Sequence, residues 1–76
     1  MEFNKAMNEV AVELGEATQK FGAMYSPHEG LAVILEEYEE LKAEVFKQFD
    51  VRTKEKLRKE AGHVAAMAIR FMMDLT

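Results

Sequence analysis

The sequence predicts an all-α fold, an antiparallel helical hairpin preceded by an N-terminal helix. Three observations carry this. Apolar residues recur at helical spacing through most of the 76 residues. The segment Ser26-Pro27-His28-Glu29 is a helix start: Ser26 suits the N-cap, Pro27 the first helical position, and Glu29 completes a capping box. Finally, Asp50-Val51-Arg52-Thr53 is a short connection, and short helix–helix loops make antiparallel neighbours.

The first helix is expected from about Phe3 to Phe21, with Phe3, Met7, Val10, Leu14 and Phe21 at helical intervals and Gly22 as a stop. The second is expected from Pro27 to about Phe49. Its residues Leu31, Ile34, Leu35, Tyr38, Leu41, Val45 and Phe49 share an arc of about 120° at ~100° per residue, which reads as the core-facing stripe. Glu37, Glu40 and Glu44 form a second stripe bordering that arc, while Glu36, Glu39 and Lys47 take more outward positions. The third helix, capped by Thr53, is expected to reach about Leu75. Its second half, from Val64 to Met73, is apolar nearly all round, so it needs cover on more than one side. That cover is expected from a second copy of the chain, making an oligomer that associates through helix three, most simply a dimer.

Length and composition bound the function. Residues 1–76 make one small domain, which buries only about 60–65% of its unfolded surface and is marginal alone. There is no cysteine, which excludes disulfides and thiolate metal sites, so a metal would be held by carboxylates or by His28 and His63. The net charge is −4. Residues 1–44 hold ten acids against Lys5, Lys20 and Lys42, and residues 45–76 hold seven bases against Asp50, Glu55, Glu60 and Asp74. An acidic total argues against nucleic-acid binding. No run approaches ~18 apolar residues, so no membrane span is expected. Met1-Glu2-Phe3-Asn4-Lys5 lacks the pattern of a signal peptide, and a cytoplasmic location is expected.

The chemistry concentrates in two pairs, Glu37 with Glu40 and Glu60 with His63, each at i and i+3. Such pairs stand roughly 5–6 Å apart at Cβ on one helix face. The midpoints of the two pairs lie equally far on either side of Asp50. A chain folded back there brings them side by side, around a hard cation that takes oxygen ligands and keeps several waters. The alternative is a solvated acidic face paired with Lys42 and Lys47. His63 has three readings: a ligand better suited to Zn²⁺, Ni²⁺ or Fe²⁺ than to Mg²⁺, a hydrogen-bonded interface histidine, or a general base. Arg52, Lys54, Lys56, Arg58 and Lys59 place five bases in eight positions. They read either as phosphate contacts, with at most two facing one ligand, or as a solvated helix start. No nucleophile–base signature and no Gly-rich phosphate loop is present.

Leu35-Glu36-Glu37-Tyr38-Glu39-Glu40-Leu41 together with Lys59-Glu60-Ala61-Gly62-His63-Val64 resembles the MazG-like family of all-α nucleoside triphosphate pyrophosphohydrolases over roughly residues 26–75. The family pattern is E-x-x-E followed by E-x-x-D on the next helix; Glu37, Glu40 and Glu60 match it. The resemblance implies hydrolysis of an NTP or dNTP to monophosphate and pyrophosphate with Mg²⁺ or Mn²⁺, in dimers or tetramers. It implies Glu37, Glu40 and Glu60 as ligands, with His63 at the fourth position. Glu36 becomes a water-orienting group beside Glu37, and Arg58 and Lys59 become candidates for the substrate phosphates. His63 departs from the family aspartate, and the family's usual fourth helix is lacking. Both departures leave open a catalytically impaired module that binds a nucleotide, a metal or a protein.

Overall fold

A computed structural model describes residues 1–47 and 53–76, and it is all-helical: α1 (Phe3–Lys20), α2 (Pro27–Val45) and α3 (Lys54–Leu75). The starts of α2 and α3 form where local chemistry dictates. Ser26 Oγ accepts from the Glu29 N–H at 3.1 Å with Pro27 in the first turn, and Thr53 Oγ1 accepts from the Lys56 N–H at 3.1 Å. α1 stops at Lys20 and not at Phe21. Phe21 is already extended, with its N–H bonded to the Ala17 carbonyl, so Gly22 is not needed to break the helix. α2 likewise stops at Val45, short of the expected Phe49, with Phe46 as its cap. The expected turn at Asp50, together with Phe49 and Arg52, lies outside the described residues.

α3 is the middle helix, with α1 and α2 packed on it and not on each other. Glu9 meets Arg58, Glu13 meets His63 and Gly22 meets Arg70, so α1 runs parallel to α3. Gly30 lies against Phe71 and Leu75, and Glu37 against His63, so α2 runs antiparallel to it. The apolar circumference of α3 therefore finds its two sides of cover within the chain. Of its large apolar side chains, Met72 and Met73 stay open. The core is small: Met24, Ala66 and Met67 are buried, with Val10, Leu14, Ala17, Val33, Ile34, Phe71 and Leu75 against them. Buried Arg70 ties down the α1–α2 connection by donating from Nη2 to the Gly22 carbonyl, and Asp74 accepts from the Met24 N–H at 3.0 Å.

The face that α2 turns inward differs from the expected stripe. Gly30 and Glu44 are buried, and Val33, Ile34, Glu37 and Leu41 are partly covered, whereas Leu31, Leu35, Tyr38 and Val45 are 61%, 53%, 49% and 41% exposed. The physical reason lies at Gly30. A Cβ there would come within 2.7 Å of Phe71 and 2.9 Å of Leu75, so the missing side chain lets α3 approach closely. Docking at Gly30 fixes the rotation of α2 and carries Glu37 round towards α3. On α1, Val10 and Leu14 reach the core, while Phe3, Met7 and Phe21 are exposed.

Candidate metal centre

α2 and α3 bring the two predicted pairs together. Ligand atoms of Glu37, Glu40, Glu60 and His63 all lie within 4.8 Å of one another, a group that could hold a metal ion. Opposite ligands of an octahedral cation at about 2.0–2.1 Å stand about 4.1 Å apart, so a small side-chain contraction closes the shell. His63 Nδ1 is 3.5 Å from Glu37 Oε2 and 3.6 Å from Glu60 Oε2.

Two features say that the donors fit a cation. Glu37 Oε2 and Glu60 Oε2 are buried and have no hydrogen-bond partner among the described residues, an arrangement that costs free energy unless something positive meets them. The Glu37 carboxyl is also held above its ordinary range. Burial is the main cause, followed by the charge of Glu40 and a hydrogen bond shared with it; Glu60 pushes the same way and His63 opposes. Carboxylates this close repel one another, and a divalent ion removes the repulsion.

The site opens onto a cleft of about 410 Å³ between α1 and α2, floored by α3. Glu37 and His63 belong to its wall, with Glu36 beside them, exposed on the solvent side. Ala17, Val33, Ala66 and Met67 supply an apolar patch, and Lys20 and Lys59 supply positive charge without an ion-pair partner among the described residues. Of the two weaker phosphate candidates, Lys59 lines both this cleft and a second one of about 590 Å³, whereas Arg58 lines only the second, and its Nη1 donates to Glu9 Oε1 at 3.3 Å. Glu44, the third member of the acidic stripe, is buried and pairs with Lys47 at 2.9 Å instead of joining the group.

Sequence reasoning missed the contribution of α1. Glu13 Oε2 stands 2.9 Å from His63 Nε2, closer than either carboxylate on the other side of the ring. The available signal was Glu9, Glu13 and Glu16 at i, i+4 and i+7, an acidic stripe like that on α2. No helix among the described residues is long and apolar enough to cross a membrane. Compared with protein-family models, curated proteins and solved structures, the chain matches none.

Proposed function

We propose that the protein is a divalent-metal-dependent nucleoside triphosphate pyrophosphohydrolase of the MazG-like kind. The observation that carries the reading is the convergence of Glu37, Glu40, Glu60 and His63 beside a cleft holding both apolar surface and lysines without an ion-pair partner among the described residues. Mg²⁺ or Mn²⁺ held by those four residues would neutralise phosphate charge and lower the pKa of a bound water. The chain's own groups do the rest. Lys59 and Lys20 meet the phosphates, Val33 and Met67 cover the base, and Glu36 on the rim orients water for attack. Hydrolysis adds water across one phosphoanhydride and releases monophosphate and pyrophosphate. Incubation with each NTP and dNTP and either cation is expected to yield those two products. Glu37→Gln is expected to cut the rate by about 10²–10³, the usual cost of removing one group that stabilises developing charge. Absence of pyrophosphate with every substrate would overturn the reading.

A second reading is favoured by one observation, the presence of His63 where the resembling family has aspartate. In this reading the same cleft binds a nucleotide, metal or protein partner without turnover. His63→Asp tests it in a protein that shows no turnover: newly gained hydrolysis indicates a decayed or tuned enzyme, whereas no change favours the binding module.

The same proposal takes the working unit as a dimer or a tetramer. Its support is surface. The chain exposes 5804 Å², against about 4,700 Å² for a compact monomer of 8.7 kDa. The excess is of the order of one side of a standard interface, about 800 Å². Helix three was the expected contact; with α1 and α2 covering it, Leu31, Leu35, Tyr38 and Val45 on α2 form the better-supported surface, and Met72 and Met73 on α3 are a further apolar contribution.

A further inference from the structure

We propose that Glu13, on the helix that carries none of the four clustered donors, is the positioning residue that makes His63 a nitrogen ligand. The consequence is a site that takes a first-row transition cation in preference to Mg²⁺. The inference rests on the metal reading above and adds the identity of the ion.

The geometry is that of a histidine held at both ends. Nε2 stands 2.9 Å from Glu13 Oε2, and Nδ1 faces Glu37 Oε2 at 3.5 Å and Glu60 Oε2 at 3.6 Å. A neutral imidazole carries one N–H and one lone pair. With a carboxylate acceptor at Nε2, the proton belongs there. The lone pair then falls on Nδ1, which stands 3.5 and 3.6 Å from two buried oxygens without a hydrogen-bond partner among the described residues. Had Glu13 been absent, Nδ1–H would have been the natural form, donating to Glu37 or Glu60 and withdrawing the ring nitrogen from a cation, which leaves only the carboxylates to hold it. Metal-ligating histidines commonly give their second N–H to a carboxylate, which fixes the tautomer and raises the basicity of the ligating nitrogen. Three carboxylates alone suit Mg²⁺; adding an oriented imidazole shifts preference towards Mn²⁺, Fe²⁺ or Co²⁺. Since α1 touches α3 but not α2, this contact is also how the N-terminal helix reaches the centre.

Mn²⁺ and Mg²⁺ binding to the whole chain by calorimetry, with electron spin-echo spectroscopy of the Mn²⁺ form, tests this. Wild type is expected to bind Mn²⁺ at least about tenfold more tightly than Mg²⁺ and to show ¹⁴N coupling from His63. Glu13→Ala is expected to lose about 10–100-fold in Mn²⁺ affinity, the usual cost of removing such a partner, and to lose the coupling, while Mg²⁺ affinity is kept. Glu13→Gln, which retains an acceptor oxygen, is expected to stay within a few-fold of wild type. ¹⁵N spectra of the ion-free wild type read the tautomer without any variant, and Nε2–H is expected. Mn²⁺ binding without nitrogen coupling, a Glu13→Ala protein indistinguishable from wild type, or an Nδ1–H tautomer would each overturn the role of Glu13 and leave the metal reading intact. Failure of wild type to bind either cation would overturn both.

Discussion

Two faces of α2 meet opposite fates. The covered face holds Gly30, Val33, Ile34, Glu37, Leu41 and Glu44; the open face holds Leu31, Leu35, Tyr38 and Val45. On hydrophobicity alone the second set belongs inside. The difference teaches that fit decided the rotation: a residue with no side chain admits Phe71 and Leu75, and the turn that follows delivers a carboxylate to its partners across the gap. Each face is left incomplete in a single chain. The inner one gathers negative charge with two orphaned oxygens, and the outer one leaves large apolar side chains in water.

Breaking the outer face is expected to have the largest effect. Leu31→Lys combined with Leu35→Lys removes two side chains whose burial contributes about 1.5–3 kcal/mol each, so self-association should weaken by at least about 10²-fold. Lysine favours helix, so α2 should persist and cation binding should be unchanged. Sedimentation across a concentration series reads this directly; wild type that stays monomeric at every concentration would remove the outer face as an interface.

The inner face is probed more gently at its glycine. Gly30→Ala gains helix propensity of about 1 kcal/mol but introduces an overpacking cost of about 1–3 kcal/mol, a net loss of about 1 kcal/mol. Gly62→Ala, where a Cβ meets nothing within 4 Å, is expected to gain up to about 1 kcal/mol. Urea unfolding of the pair compares them; equal shifts would show that α3 does not depend on close approach at Gly30.

The smallest effect sharpens the electrostatic half of the comparison. Folding holds the proton on Glu37 above the ordinary glutamate value of 4.5. Between that value and the raised one, the folded chain binds more protons than the unfolded chain, so ion-free stability falls as pH rises through the interval. Glu37→Gln should flatten this slope, and so should a saturating divalent cation. A wild-type slope unchanged by either would separate Glu37 from the acid response.

Much of this was legible in the residues. The Ser26 and Thr53 caps stand as the capping rules place them. The pairing of Glu37 and Glu40 with Glu60 and His63 followed from an i, i+3 pattern and a fold-back, both local arguments. The rotation of α2 was not legible, because an apolar arc says which residues prefer cover without saying which partner supplies it. Gly30 decided the matter through contacts with residues more than forty positions away. Glu13 was out of reach for a related reason. α1 is placed by α3, not by its neighbour α2, and no short-range signal ties Glu13 to His63 across 50 positions.

The central position of α3 also orders events in time. During synthesis α1 and α2 emerge before α3, the helix on which each rests, since neither packs on the other. Their isolated lengths of 18 and 19 residues give only marginal helicity in water. Their apolar stripes therefore stay uncovered until α3 has left the ribosome and both can pack on it.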